Sequence, residues 1–347
     1  MSEKLDIMSL FSYSVITAIS VAIIIIFICY YVCFGKKPSA YKRKVAFSKR
    51  HVLITGGSSG IGKSMALEAA RRGSNVTIIA RDANKLKSAK EEIIKACDSQ
   101  LQRVKTLSCD VSTISYEDLE KMLTDVEEEL GPIFMLINCA GSSVCGKMED
   151  LSVTDFKHMM DLNYMGSVLP TKAVIGGMKS RGSGHVIFIA SQAAMLGIFG
   201  YTAYSSSKFA LRGLAEALYM EAKPFGITVT VALPPDTDTP GFAEEEKAKI
   251  TETREICQAS GLMSADLVAL RVLDDAIDGK FYSFVGLEGF IQKTLCVGMA
   301  PVTSFCELIS EVFLMGLMRF ISTFYLLSFE RIVQKCMKNK DSAKKSM

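Results

Sequence analysis

His51-Val-Leu-Ile-Thr55 runs directly into Gly56-Gly-Ser58-Ser59-Gly60-Ile61-Gly62, and then into Lys63-Ser-Met-Ala-Leu-Glu-Ala-Ala-Arg-Arg-Gly73. The first five residues are apolar and β-branched, the pattern of a buried strand. The last eleven read as a helix that stops at a glycine. A strand, a glycine-rich turn and a helix start in immediate succession form a cradle for a dinucleotide. The glycines let the backbone approach a pyrophosphate, and the helix start offers free N–H groups and a positive dipole end. The spacing is Gly-x-x-x-Gly-x-Gly rather than the commoner Gly-x-Gly-x-x-Gly. A glycine cluster alone is as often a plain turn; the flanking strand and helix give this one its reading.

Outward from that stretch, apolar runs and helical runs alternate. Strands are predicted at 51–55, 75–80, 104–108, 134–138, 185–190, 228–233 and 280–285, with helices such as 83–97, 116–130, 153–178 and 203–223 between them. Such alternation predicts an α/β fold, a doubly wound parallel sheet of Rossmann-like type with helices on both faces. Ligands of these sheets bind beyond the carboxyl ends of the strands. Arg81, Asp110, Asn138, Ser191 and Pro234 all fall at such ends.

Tyr204 and Lys208 stand four residues apart on a predicted helix and so share a face. An ammonium beside a phenol favours the phenolate and pulls its pKa down towards neutrality. A tyrosine tuned in that way can exchange a proton with a substrate oxygen. Most Tyr-x-x-x-Lys pairs are ordinary helix surface, so the weight again comes from the company they keep.

Thr55-Gly-x-x-x-Gly-Ile-Gly62, Asn138-x-Ala140-Gly141, Asn163, Ser191 and Tyr204-x-x-x-Lys208 together resemble the signature of the short-chain dehydrogenase/reductase family, over roughly two-thirds of the chain. The resemblance implies catalytic roles for four residues. Tyr204 is the acid/base, Lys208 lowers its pKa and bonds the nicotinamide ribose, Ser191 holds the substrate oxygen, and Asn163 orders a water in the proton relay. It also implies that Gly56, Ser58, Ser59, Gly60, Ile61 and Gly62 hold the cofactor together with Asn138, Ala140 and Gly141. Asp110 and Val111 would border the adenine, with Pro234, Thr237 and Thr239 contributing after the sixth strand. Two positions depart from the family pattern: Cys139 replaces a second asparagine, and Pro235 stands where many members have glycine. Neither removes a catalytic group. Family members often pair through their fourth and fifth helices, which makes a homodimer an expectation.

The choice of cofactor has a physical argument. An acid at the end of the second strand suits the ribose 2′-OH, whereas an arginine suits a 2′-phosphate. Ala80 carries no acid and Arg81 follows it, with Lys85 one turn on and Ser58 in the glycine loop. NADPH is therefore predicted over NADH, and reduction over oxidation. The competing reading of Arg81 is a surface ion pair with Asp82 or another neighbour.

The remaining composition concerns membranes. The 347 residues are 49% hydrophobic and carry a net charge of +3, which argues against nucleic acid as the main partner. The 10 cysteines show no zinc spacing and there are 3 histidines, so a metal site is not expected and the thiols read as reduced. No charge falls between Asp6 and Lys36, and the apolar run through Ile23-Ile-Ile-Ile26 matches the ~20 residues of a membrane span. Basic residues follow it (Lys36, Lys37, Lys42, Arg43 and Lys44), which places the bulk of the chain on the cytosolic side. The expected organisation is a short segment 1–10, an anchor 11–35, a basic linker 36–46 and a reductase domain 47–286. An apolar membrane-associated region 287–330 and a basic tail 331–347 would follow. That apolar region reads as a helical hairpin, as an interfacial helix with Arg319 snorkelling, or as a cap over the pocket. Lys344 and Lys345 resemble a dilysine address for the endoplasmic reticulum membrane.

A narrower likeness lies in Phe209–Leu218, Pro234–Glu245 and Gly298–Ser304, strings similar to members of the family that reduce a long-chain amino-ketone lipid. It implies a substrate resident in the bilayer, and Asp236 or Asp238 is the expected neighbour of the substrate amine. Other lipophilic ketones (steroid, retinoid or acyl), or an NADP-binding scaffold or redox sensor without activity, remain alternatives. The intact set of Asn163, Ser191, Tyr204 and Lys208 argues against the scaffold.

Overall fold

The structure, a computed structural model, describes residues 40–258 and 261–345 together with Ser20 and Ile24. The expected anchor at 11–35 lies outside the described residues apart from those two, as do the segment 1–10 and the last two residues of the dilysine-like end.

A seven-stranded parallel sheet forms the body, in the order β3-β2-β1-β4-β5-β6-β9. Its strands are β1 (His51–Thr55), β2 (Asn75–Ala80), β3 (Val104–Ser108), β4 (Ile133–Asn138), β5 (Gly184–Ile189), β6 (Ile227–Leu233) and the short edge strand β9 (Tyr282–Phe284). β7 (Thr237–Asp238) and β8 (Met263–Ser264) make a separate two-residue pair. The strands are apolar throughout because both faces of the sheet are covered. On one face Val186, Phe188, Val229 and Val231 pack against Leu123, Met178, Leu211 and Ala215. On the other, Val52, Ile54, Ile187 and Ala232 meet Met65, Ala69, Ile93 and Val272.

These layers come from α4 (Tyr116–Leu130), α6 (Gly166–Arg181) and α7 (Thr202–Ala222) on the first face. The second is covered by α2 (Gly60–Arg71), α3 (Ala83–Ala96) and α10 (Ala265–Ile277). β1 is flanked by β2 on one side and β4 on the other, so the crossovers leave it in opposite directions. A crevice opens at the carboxyl ends of these two strands, where α/β sheets bind ligands.

His51 opens β1 with both ring nitrogens engaged, by Gly131 O at 2.7 Å and Thr77 Oγ1 at 2.9 Å. Burial lowers its pKa to about 4, so it is a neutral structural imidazole.

Two expectations need refinement. The helical stretch predicted over 153–178 runs without interruption to Arg181 but changes type, from α5 (Val153–Met159) through a π-helical turn (Met160–Met165) to α6. Pro170 has no N–H and its ring crowds the carbonyl one turn back, at Gly166; the wide turn just upstream accommodates the chain there. The linker expected at 36–46 instead contains a helix, α1 (Ala40–Phe47), docked on α10 through Arg43–Asp274 at 3.3 Å and through Lys42–Asp278. The folded unit therefore begins before residue 47.

The C-terminal part holds two helices. α11 (Gly286–Cys296) buries Phe290 against the core, and a loop leads to α12 (Phe305–Lys345), one helix of 41 residues that runs on through the expected basic tail. Lys293, fully buried on α11, pairs with Glu311 at 2.6 Å and with Glu307, clamping the two helices together. Leu314 and Met318 are buried, whereas Phe320, Phe324, Leu326 and Leu327 are exposed. Among the described residues, Phe305–Asn339 is the helix long and apolar enough to cross a membrane.

Candidate active site

The site begins where β1 ends. Thr55 Oγ1 accepts from the backbone N–H groups of Cys139 (3.0 Å) and Ala140 (3.1 Å), locking the ends of β1 and β4 together. Gly56 has φ +68°, and a Cβ there would stand 2.9 Å from Ala140 Cα. A Cβ on Gly62 would stand 2.4 Å from the carbonyl oxygen of Gly56. No side chain fits at either position. The N-cap residue Ser59 makes no side-chain cap bond, so the first N–H groups of α2 stay open to an anion. The residues present fit a dinucleotide pyrophosphate.

A cavity of about 650 Å³ runs from this cradle along the strand ends to α12. Ser58, Ser59, Gly60, Ile61, Arg81 and Lys85 line it beside Gly56 and Gly62, and so do Asp110, Val111, Ala140 and Gly141. Ser191, Tyr204, Lys208, Pro234, Thr237 and Thr239 line it as well. Two predicted residues stand behind the wall. Asn138 is buried and donates through Nδ2 to Thr171 Oγ1 at 3.0 Å. Asn163, set inward by the π turn, has its amide committed: Nδ2 donates to Ser142 O (3.0 Å) and Ser207 Oγ (2.9 Å), and Oδ1 accepts from Ser142 N–H (3.1 Å). It ties the loop after β4 to α7, the helix that carries Tyr204.

Ser191 follows β5, and Tyr204 and Lys208 lie on α7, where the i, i+4 spacing puts them on one face. The Ser191 hydroxyl lies close enough to the Tyr204 phenol to act on its pKa. Lys208 Nζ is buried, donates to Ile189 O at 3.0 Å and stands 5.8 Å from the Tyr204 ring centroid. Burial lowers its pKa to about 8, partly offset by Cys139. Burial pushes the Tyr204 phenol above its ordinary value, the Ser191 hydroxyl pulls it down, and the charges of Glu245 and Asp236 raise it further. The expectation that Lys208 makes this phenol acidic is thus not met here: desolvation dominates, and the amine reaches a strand carbonyl rather than the hydroxyl. Tyr204 keeps its proton at neutral pH, the form that can donate one.

Arg81 is 65% exposed and its Nη1 stands 3.5 Å from Asp110 Oδ2, a loose pair. Asp82 is occupied elsewhere, capping α3 by accepting from the N–H groups of Asn84 and Lys85. The guanidinium remains free to turn towards an anion at the end of β2.

The opposite wall contains groups that motif reading missed. On α8 (Pro240–Ala248), Glu245 accepts from Ser143 Oγ at 2.6 Å and from the Tyr201 hydroxyl. The Tyr201 and Tyr204 rings meet edge to face at 5.3 Å. Lys249 has a fully buried side chain and reaches Glu246 (3.1 Å), Asp236 (3.2 Å) and Glu245 (3.5 Å). Burial raises the Asp236 pKa, partly offset by Lys249. Asp238 is exposed and does not line the cavity. The i, i+3 and i, i+4 spacing of Glu246 and Glu245 to Lys249 was a readable signal; the contacts with Tyr201 and Asp236 were not. Ile256 and Cys257 of α9 (Thr251–Cys257) and Tyr325 and Phe329 of α12 complete this wall.

Comparison with known proteins agrees with this geometry. The family model described as short chain dehydrogenase matches residues 50–250. The chain is 50% identical to a 3-ketodihydrosphingosine reductase of Bos taurus, covering 87% of this chain and 91% of that protein. It is 49% identical to a 3-dehydrosphinganine reductase of Danio rerio, with 88% and 92% covered. An Arabidopsis thaliana 3-dehydrosphinganine reductase is 37% identical, with 95% of each chain covered. The crystal structure of a levodione reductase superposes with a TM-score of 0.62 at 23% identity, over 69% of this chain and 96% of that one, a likeness of fold.

Proposed function

The chain belongs to the short-chain dehydrogenase family, and on that premise we propose that it reduces the 3-keto group of 3-ketodihydrosphingosine to dihydrosphingosine in sphingolipid biosynthesis, with NADPH as reductant. The observation that carries the reading is the convergence of Ser191, Tyr204 and Lys208 in one cavity that is closed at one side by a glycine cradle and at the other by an apolar helix. The half-identical relatives that carry the 3-ketodihydrosphingosine reductase name supply the substrate.

NADPH, when bound, supplies a hydride to the ketone carbon. The protein's own part is to hold and protonate the oxygen. Ser191 and Tyr204 present adjacent hydroxyls to it, and charge developing there is stabilised by these pre-placed donors. An alkoxide is more basic than a phenolate, so Tyr204 gives up its proton even with a raised pKa. Lys208, buried behind the ring, stabilises the phenolate that remains, and Asn163 holds the helix in register with the loop after β4. Arg81, Lys85 and Ser58 line the cavity near the end of β2, and an arginine there suits a 2′-phosphate, which supports NADPH over NADH.

A substrate with a small polar head and a long alkyl tail resides in a bilayer. The apolar run at 11–35 with the basic residues after it and the exposed apolar side of α12 support a protein of the endoplasmic reticulum membrane with its catalytic domain facing the cytosol. A homodimer belongs to the same reading. The experiment is an NADPH-oxidation assay in detergent micelles with 3-ketodihydrosphingosine, steroid ketones and retinoids as competing substrates. Turnover confined to the long-chain amino ketone is expected; faster turnover of a steroid or retinoid would replace the reading.

A further inference from the structure

We propose that Glu245 receives the ammonium group of the substrate, an inference that rests on the amino-ketone reading above. The carboxylates of α8 and of the loop after β6 are not equally paired. Glu244 pairs with Lys247 out in solvent. Asp236 and Glu246 are met by Lys249 at 3.2 and 3.1 Å, and Glu246 also by Arg254 at 3.0 Å. Glu245 takes the longest of the three contacts to Lys249, at 3.5 Å. Its other partners are the neutral hydroxyls of Ser143 and Tyr201, which donate hydrogen bonds but no charge. Of these four carboxylates, Glu245 is the one whose contact with a cation is no closer than 3.5 Å.

That charge is well placed. Glu245 lines the cavity, and the Tyr201 ring that donates to it lies edge to face against Tyr204 at 5.3 Å. In a 2-amino-3-ketone the nitrogen sits on the carbon next to the carbonyl, so an oxygen held by Tyr204 brings the ammonium to this side. Lys249 is fully buried beneath the carboxylates and cannot rise to occupy the place itself. A second observation points to a polar ligand head. Gln192, next in sequence to the oxygen-holding Ser191, is 9% exposed and lines the same cavity, and its Nε2 has no hydrogen-bond partner. It is a donor in wait of an acceptor oxygen, such as the hydroxyl beside the amine. Asp236, the earlier expectation, is spent on Lys249, and Asp238 lies outside the cavity.

The test compares kcat/KM for 3-ketodihydrosphingosine with that for the same ketone lacking the amine, in full-length wild type, Glu245→Gln and Glu245→Asp. The ratio is expected to fall about tenfold in Glu245→Gln, through KM for the amino ketone, and to be largely kept in Glu245→Asp. An unchanged ratio, or an equal loss on both substrates, overturns the proposal. NADPH binding reports whether each variant is folded. Should Glu245→Gln fail to fold, inhibition of the wild type by dihydrosphingosine and by the matching long-chain diol without the amine decides the matter: equal potency overturns the proposal. If the wild type does not reduce 3-ketodihydrosphingosine at all, the substrate reading fails, and the inhibitor pair still reports separately on the carboxylate.

Discussion

One cavity has two walls built on different principles. The cofactor wall is backbone and small side chains at the ends of β1 to β6, where Gly56 and Gly62 leave no room for a Cβ. The substrate wall is long side chains from α8, α9, α11 and α12, held by ion pairs and packing between segments far apart in sequence. The first wall is stiff because main chain meets main chain. The second is assembled from side chains, and that is where one member of a family sharing its chemistry with many others can acquire its own substrate.

If the walls differ in this way, substitutions should fail differently on each. The largest effect is expected for Gly62→Ala, whose Cβ would be driven to 2.4 Å from Gly56 O. NADPH affinity should fall by more than about 100-fold, with a destabilisation of about 1–3 kcal/mol. Near-normal binding in a fluorescence titration would mean the turn is less rigid than described. Next, Arg81→Ala should lower the NADPH-to-NADH ratio of kcat/KM by about 10- to 100-fold by removing a charge-assisted contact. An equal loss with both cofactors would remove Arg81 from phosphate recognition.

Lys208 tests the buried end of the catalytic pair through stability. Its pKa is lowered from 10.5 to about 8, so between these values the unfolded chain binds more protons than the folded protein. Stability linked to this group is therefore full above 10.5 and is lost as pH falls through 8. Lys208→Met should be more stable than wild type at pH 7, by on the order of 2 kcal/mol in denaturant unfolding, while losing activity. The gain should shrink as pH rises towards 10.5; a pH-independent difference would contradict burial of the charge. The smallest effect belongs to the substrate wall. Tyr325→Ala should raise KM about tenfold for a long-chain ketone and little for a short one, since each buried methylene contributes about 0.8 kcal/mol. A chain-length-independent change would detach α12 from the alkyl tail.

The same contrast explains what the sequence could convey. The strand–turn–helix at 51–73 and the pair Tyr204 and Lys208 are local patterns, so residue spacing alone places them. The π turn at Met160–Met165 escapes such reading, because its one extra residue falls inside a stretch that stays helical on both sides. The contact between Tyr201 and Glu245 joins residues 44 positions apart, and only the path of the chain after β6 brings them together. Spacing correctly put Lys208 beside Tyr204 but could not weigh desolvation against Coulomb attraction, which is why the phenol lies above its ordinary pKa and not below it. The apolar composition of α12 was legible, while its docking on α11 depends on the buried clamp of Lys293 on Glu307 and Glu311.

The account rests on Tyr204 as the proton donor to the ketone oxygen. A single-turnover measurement on Tyr204→Phe, with NADPH binding followed in the same sample, tests it most directly. The account predicts cofactor affinity within a few fold of wild type and hydride transfer slowed by about 1,000-fold or more. Hydride transfer at a wild-type rate in that variant would contradict it.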